Sequence, residues 1–216
     1  MNKTELKLAG TDDFFSQEAY KVLRSNIQFC GKDVRVIVIT STHENEGKTV
    51  VSLNLGKCFS ELGKKVLVID ADMRKSVMAG RNTTSTHPEG LSEVLTGMAE
   101  LEECIHETQY PTLNLLFSGK YPPNPVELLS SSHFTKLLEK VREQYDYIII
   151  DTAPLGLVID AAVVGPKSDG VALLLSNGNV KRSQAQNVIE QLEKSGSKIL
   201  GVIRNQTTRQ TGRRYS

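Results

Sequence analysis

The sequence predicts an α/β fold of three layers, in which helices cover both faces of a mainly parallel sheet. Three observations support this fold class. Runs of apolar and β-branched residues alternate along the chain with segments of helical periodicity. These runs are apolar at nearly every position, as is typical of strands buried on both faces. The first of them, at 34–40, leads directly into a loop that ends in Gly47, Lys48 and Thr49.

The predicted elements follow in order from the N-terminus. A helix is expected at about 17–30, because Tyr20, Leu23 and Ile27 fall on one side of it. The Gly-Lys-Thr loop is followed by a helix at 50–62. The remaining predictions are strands at 65–70, 113–117, 147–151, 170–175 and 198–203, helices at 90–97, 126–144, 160–165 and 181–195, and a loop at 76–89.

Length and composition are typical of one ordinary globular domain. The 216 residues are enough for a full core, and 39% hydrophobic with 24% charged residues is usual for a soluble protein. We expect one domain over 1–205 and a flexible basic tail over 206–216 that contains Tyr215. The net charge of +1 argues against nucleic acid as a charge-steered partner.

Hydropathy and cysteine usage indicate the compartment. No apolar run reaches the roughly 20 residues that a membrane span needs, and the polar N-terminus lacks the apolar core of a secretion signal. Cys30, Cys58 and Cys104 form no Cys-x-x-Cys pair and are expected to be reduced thiols. The sequence therefore predicts a cytoplasmic protein with no direct membrane span, disulfide frame or zinc site.

The loop before the second helix has the residue types of a nucleotide triphosphate cradle, as in P-loop NTPases. Its backbone N–H groups and the helix N-terminus favour a phosphate, and Gly47 lets the chain approach that phosphate without a Cβ. Lys48 supplies charge for the β- and γ-phosphates, and the Thr49 hydroxyl suits Mg²⁺. Thr42 stands where the standard spacing has a glycine. Asn45 is expected to replace a loop glycine, because asparagine tolerates the left-handed conformation.

Acidic residues end two of the predicted strands. Asp151 is expected to hold Mg²⁺ directly or through water, although an aspartate here can also form a turn or cap the next helix. Asp70 can ligate the metal or accept a proton from an attacking hydroxyl, with Asp72 assisting. Arg74 can pair with Asp72 or contact phosphate, and the alternative for 70–74 is a solvated loop with a local ion pair. Ligands of parallel sheets bind beyond the carboxyl ends of the strands, so the loop and these acids are expected to meet.

Several segments of the chain have distinctive residue patterns. The run from Asp70 to Arg74, Asp-Ala-Asp-Met-Arg, resembles the extra acidic motif of the bacterial tyrosine kinases, in particular of the CpsD/CapB type. Residues 119–129 contain Pro-Pro-Asn-Pro-Val-Glu-Leu-Leu, which is similar to the family's Pro-Pro-Asn-Pro-x-Glu-Leu-Leu segment. The segments 90–97 and 149–154 fit as well, so the resemblance covers nearly the whole chain.

This resemblance implies an ATP-dependent protein-tyrosine kinase that takes ATP and Mg²⁺. It implies that Lys48, Asp70 and Asp72 are catalytic and that Asn205 lies near the adenine. The implied nucleotide-binding residues are Asn45, Glu46, Gly47, Lys48, Thr49, Val50 and Asn205. The implied metal ligands are Thr49, Asp70, Asp72 and Asp151.

The resemblance also implies an assembly. Glu18, Lys21 and Arg24 match the family's Glu-x-x-Arg-x-x-Arg oligomerisation helix, with Lys21 in place of the first arginine. It implies a homo-oligomeric ring in which one subunit phosphorylates the tail of its neighbour, here at Tyr215. A transmembrane activator would recruit the kinase to the inner face of the cell membrane, and ring assembly would regulate capsular or exopolysaccharide synthesis and export.

The sequence departs from this family, and other functions stay open. Glu44 and Asn45 replace a usual Pro-Gly, and the tail has one tyrosine instead of a cluster, so it can also be a plain basic end. One alternative is an ATPase of the ParA/MinD type, but the place of its signature lysine is taken by His43 and an amphipathic C-terminal membrane helix is lacking. Another is an ATP-binding regulatory scaffold with little kinase activity.

Overall fold

The computed structural model of the chain describes residues 2–10, 13–82, 88–178 and 180–206. Of the tail expected at 206–216, only Gln206 falls within these ranges, so Tyr215 lies outside the described residues. None of the helices in the described ranges is long and apolar enough to cross a membrane. Cys30, Cys58 and Cys104 are free thiols.

The described strands form one sheet whose residues are mostly buried on both faces. Its spatial order is β1-β4-β5-β3-β6-β2-β7-β8, and every neighbouring pair is parallel except β4 and β5. The strands are β1 (Asn2–Lys3), β2 (Val36–Ser41), β3 (Val66–Asp70), β4 (Ile105–Glu107), β5 (Leu113–Leu116), β6 (Tyr147–Asp151), β7 (Gly170–Ser176) and β8 (Ile199–Asn205).

Helices lie on both faces of this sheet, as the uninterrupted apolar strands predict. A short 3₁₀ turn at Gly165–Lys167 follows the eighth of them. The helices are α1 (Phe14–Phe29), α2 (Lys48–Ser60), α3 (Met78–Asn82), α4 (Leu91–Thr96), α5 (Leu101–Cys104), α6 (Pro125–Ser130), α7 (Ser132–Gln144), α8 (Asp160–Val164) and α9 (Arg182–Lys194).

The core has two parts, one on each face. Successive residues of β2 alternate between them: Val36 and Val38 belong to one cluster, and Ile37 and Ile39 to the other. The first cluster includes residues of α7 and α9, and the second includes residues of α1 and α2. This division follows from the two-residue repeat of a strand and confirms the three-layer prediction.

The N-terminal helix begins earlier than predicted because of its cap. The Asp13 side chain accepts hydrogen bonds from the backbone N–H groups of Phe15 and Ser16, so α1 starts at Phe14. Ile27 is buried in the second cluster and Tyr20 and Leu23 pack against it, which confirms the predicted inward side.

Three details of the predicted secondary structure were wrong. The single helix expected at 126–144 is two helices, because Ser131 is extended and its hydroxyl caps α7. The loop expected at 76–89 contains α3. The short strands β1 and β4 and the short helix α5 were missed, and the antiparallel pairing of β4 with β5 is the exception to the parallel sheet.

Candidate active site

The strand order brings three predicted features to one edge of the sheet. Strand β6 lies between β3 and β2, and Asp70 at the end of β3 is the register partner of Asp151 at the end of β6. Ile39 near the end of β2 is also paired with Asp151, and the phosphate loop follows β2. The loop and the two aspartates therefore meet at the carboxyl edge, as expected for a ligand site in a parallel sheet.

The phosphate loop contains two left-handed residues. Asn45 has φ +60° and Gly47 has φ +95°. The first value confirms that Asn45 takes a conformation usually reserved for glycine. A Cβ on residue 47 would meet the side-chain amide of Asn205, and the positive φ would be strained for any other residue, so the backbone conformation favours glycine at this position.

Glu46 fixes the shape of the loop with its side chain, which is 2% exposed. Its Oε1 accepts a hydrogen bond of 2.6 Å from the His43 N–H, and its Oε2 accepts one of 2.7 Å from the Ser176 N–H at the end of β7. Asn205 at the end of β8 donates to the Glu46 carbonyl over 2.8 Å. Glu46 therefore contributes by holding the loop to β7 and β8, a role that the motif does not reveal.

Glu46→Gln is expected to destabilise the protein and to weaken nucleotide binding. Glutamine keeps one acceptor oxygen, but its NH₂ group would face the second backbone N–H and leave that buried donor without a partner. The expected cost is about 1–3 kcal/mol in the free energy of unfolding. Urea denaturation and calorimetric titration with ATP measure the two effects. Glu139→Gln, at an exposed position on α7, is the matched control and should change neither.

A cleft of about 320 Å³ opens above the loop. Lys48 is buried beside it, and burial lowers the pKa of its ammonium group, although nearby Asp151 and Asp72 act in the opposite direction. Gln206, whose Nε2 donates to the Asn45 carbonyl over 3.1 Å, was not predicted at this site. The lining residues are Glu44, Asn45, Gly47, Lys48, Thr49, Val50, Asp72, Arg74, Lys75, Val77, Ala153, Pro154, Leu157, Val158 and Gln206.

Asp151 lies beneath the cleft and contacts two hydroxyl groups. The Thr49 hydroxyl donates to its Oδ2 over 2.5 Å, and the Ser52 hydroxyl is 3.4 Å from its Oδ1. Burial raises the pKa of the Asp151 carboxyl to about 7, against the opposing effects of the Thr49 hydrogen bond and the Lys48 charge. The predicted association of Thr49 with Asp151 is therefore present as a direct contact.

Asp70 is 1% exposed and adjoins Asp151. Its Oδ1 accepts the backbone N–H of Asp72 over 3.1 Å, and its Oδ2 accepts the Ser76 hydroxyl. Burial and the neighbouring Asp151 raise the pKa of the Asp70 carboxyl well above its ordinary value. The carboxylates of Asp70 and Asp151 thus lie side by side in a buried environment, and a bound cation would reduce the repulsion between them.

The arginine of the acidic motif does not form the ion pair considered with Asp72. Its guanidinium binds the fully buried Asp160 of α8, with Nε to Oδ2 at 2.9 Å and Nη2 to Oδ1 at 3.1 Å. The Asp72 carboxylate instead accepts the backbone N–H groups of Arg74 and Lys75, at 3.3 and 3.0 Å. Asp72 stays on the cleft wall, whereas Asp160 carried no motif that could identify it from the sequence.

These oxygens fit Mg²⁺, which prefers carboxylate and hydroxyl ligands and completes its shell with water and phosphate. Thr49 is in contact with Asp151, and Asp70 is beside Asp151 with no cationic side chain hydrogen-bonded to either in the described residues. Among those residues no group of three or more histidine, cysteine or acidic side chains is arranged around a metal position. Mg²⁺ bound to Thr49 and these carboxylates would therefore need phosphate and water oxygens to complete its shell.

The residues expected to mediate oligomerisation lie on α1, away from the cleft. Lys21 and Glu18 form an exposed ion pair of 2.6 Å on one face of this helix. Arg24 is directed into its own chain, where its guanidinium donates to the Cys58 carbonyl of α2 over 2.7 Å. Glu18 and Lys21 are therefore the members of this set that remain at the surface.

Comparisons with known proteins agree on one group of relatives. The AAA domain family matches residues 34–198. The chain is 44% identical over 190 residues to the tyrosine-protein kinase CpsD of Streptococcus agalactiae, which covers 88% of this chain and 83% of the relative. Its fold is similar to the kinase domain of the Escherichia coli tyrosine kinase ETK, with a TM-score of 0.86, 32% identity and coverage of 93% and 79%. The chimerical protein CapA2B2 gives a TM-score of 0.86 with 30% identity and coverage of 94% and 96%.

The division ATPases are a more distant relation. The septum site-determining protein MinD of Pyrococcus horikoshii has a TM-score of 0.63 and 27% identity, and the match covers 78% of this chain and 68% of that one. Both the identity and the TM-score are lower for MinD than for the kinase domain of ETK.

Proposed function

Because the chain belongs to the bacterial tyrosine kinases, we propose that it transfers the γ-phosphoryl group of ATP to tyrosine in the cleft above the phosphate loop. One observation supports this most directly: buried Lys48 and the contact between Thr49 and Asp151 lie beside Asp72 at the carboxyl edge of the sheet. A phosphoryl-transfer site needs this combination of a cation, a metal-binding hydroxyl and acids.

The candidate catalytic and binding residues each have a role in this proposal. Lys48 and the N–H groups at the start of α2 bind and orient the β- and γ-phosphates. Thr49 and Asp151, with Asp70 and Asp72, would hold Mg²⁺, which neutralises phosphate charge when bound. Asp70 accepts the proton that the attacking phenol loses. Asn205 at the end of β8 holds the loop through the Glu46 carbonyl and would lie near the adenine.

The acceptor that we propose is Tyr215 in the tail of a neighbouring subunit. Support comes from the family resemblance and from the exposed ion pair of Glu18 and Lys21 on α1, which leaves this face of the helix open to another copy. In this proposal the kinase forms a ring at the inner face of the cell membrane, where a transmembrane activator recruits it. The assembly regulates capsular or exopolysaccharide synthesis and export.

Tyr215→Phe is expected to remove most of the phosphotyrosine formed with ATP and Mg²⁺. Mass spectrometry of phosphosites in the purified protein, with and without the membrane partner, measures this result. Tyr121→Phe is the matched control, because Tyr121 is 64% exposed and the substitution removes only its hydroxyl group. Unchanged labelling of the Tyr215→Phe protein would rule out the tail as the main acceptor. A lack of phosphotyrosine under both conditions would contradict the kinase function.

A further inference from the structure

The phosphate loop carries a carboxylate where an anionic ligand is expected. Glu44 lines the cleft together with Asn45, Lys48 and Thr49. A negative side chain near phosphates weakens their binding through like-charge repulsion. Since the resemblance gives proline at this position, the sequence offers no reason for the charge. The contacts of Glu44 in the fold explain how the charge is accommodated.

Lys75 neutralises this carboxylate from the other side of the cleft. Its Nζ lies 2.6 Å from Oε2 of Glu44, although the two residues are 31 positions apart in the chain. Lys75 belongs to the loop after β3 and also lines the cleft. The ion pair lowers the pKa of the Glu44 carboxyl and raises the pKa of the Lys75 ammonium group, so both remain charged.

The other cationic side chains that line the cleft could hardly replace Lys75 in neutralising Glu44. Three cationic side chains line it, Lys48, Arg74 and Lys75, against the carboxylates of Glu44 and Asp72. Arg74 is already held by buried Asp160, which lies behind the wall. Without Lys75, the negative charges of Glu44, Asp72 and Asp160 would outnumber the positive charges of Lys48 and Arg74 by three to two.

We propose that Lys75 determines nucleotide affinity by acting through Glu44: it cancels the charge that the loop presents to the cleft and so permits a triphosphate to bind. This inference rests on the proposed function, since it assigns ATP to the same cleft. Lys75 is a positioning residue here, because its contact is with Glu44. The pair is exposed, with 68% of the Lys75 and 43% of the Glu44 side chain accessible, so we expect a small effect on folding.

A double-mutant cycle tests the inference. Calorimetric titration with the non-hydrolysable ATP analogue AMPPNP and Mg²⁺ gives Kd for the wild type, Lys75→Met, Glu44→Gln and the double variant. Lys75→Met should weaken binding by about three- to tenfold at low salt, and less at high salt. Glu44→Gln should bind as well as the wild type or more tightly. The double variant should return to within about twofold of the wild type, because neither charge remains.

Two outcomes would overturn the inference. Unchanged affinity of Lys75→Met would show that Glu44 needs no neutralisation. A double variant as weak as Lys75→Met would mean that Lys75 contacts the phosphates itself. The matched control is the remote pair Lys140 and Glu102, which has the same 2.6 Å separation and similar exposure, 46% and 53%. Lys140→Met and Glu102→Gln should leave Kd unchanged.

The same titrations separate this inference from the proposed function. If the wild type binds the analogue and the cycle fails, only the role of Lys75 is wrong. If the wild type does not bind the analogue, both are wrong. Thermal denaturation of each variant without nucleotide shows that a change in Kd does not arise from unfolding.

Discussion

Lys48→Met is expected to reduce ATP-dependent phosphotyrosine formation by about 10²-fold or more. Lys48 is 8% exposed at the base of the cleft, so its charge acts where little water screens it. Methionine keeps most of the length and the apolar character of the stem but cannot stabilise charge on the β- and γ-phosphates. The measurement is the initial rate of phosphotyrosine formation with ATP and Mg²⁺, together with the affinity for ATP.

Lys64→Met provides the control for this substitution. Lys64 is exposed in the segment between α2 and β3, so the same chemical change is made outside the cleft. It should leave both the rate and the affinity unchanged. Retained phosphotyrosine in the Lys48→Met protein would contradict the assignment of the cleft as the kinase site, provided that its thermal denaturation matches that of the wild type.

Much of the fold follows from local patterns in the sequence. The apolar runs of β2, β3 and β6 predict buried parallel strands, and the parallel register then places Asp70 beside Asp151. Strands of two and three residues, such as β1 and β4, have too few positions for a repeat and depend on the neighbours that pair with them. Ser131 likewise ends one helix and caps the next, although the periodicity of 126–144 continues through it.

Some features of the candidate site could likewise be predicted from the sequence, and others could not. Lys48 and Thr49 were predicted because a short motif fixes their spacing, and Asn45 because its conformational preference suits the loop. The partner of Arg74 could not be predicted, since Asp160 is 86 residues away and is brought close only by packing of α8. Nor could the sequence show that the Glu46 side chain is buried, because burial depends on where β7 ends.

Asp70→Asn is expected to slow phosphotyrosine formation by about 10²- to 10⁴-fold while the fold is kept. Asparagine is neutral and cannot take the phenol proton or hold a cation as a carboxylate does. Its oxygen can still accept the Asp72 N–H, and its NH₂ group can donate to the Ser76 hydroxyl, so the local hydrogen bonds survive. The measurements are the initial rate and the Kd for ATP, which should change much less than the rate.

The same substitution is expected to stabilise the protein without nucleotide and Mg²⁺. Asp70 and Asp151 are both about 1% exposed and are register partners, and burial with mutual repulsion raises the pKa of Asp70. Removing one charge relieves this repulsion, so Tm should rise by about 2–6 °C. A gain in stability with a loss of rate is the signature of a charge kept for function.

The control for Asp70→Asn is a second aspartate-to-asparagine substitution far from the cleft. Asp33→Asn removes an equal charge from an exposed loop and should change neither the rate nor Tm. A full rate in the Asp70→Asn protein would exclude Asp70 as the proton acceptor. If the rate falls but ATP-dependent assembly and cellular function persist in that protein, the ATP-binding scaffold becomes the better interpretation. A loss of both rate and Tm would instead indicate that the hydrogen bonds of the Asp70 carboxylate to Asp72 and Ser76 stabilise the fold by more than its burial and its repulsion with Asp151 destabilise it.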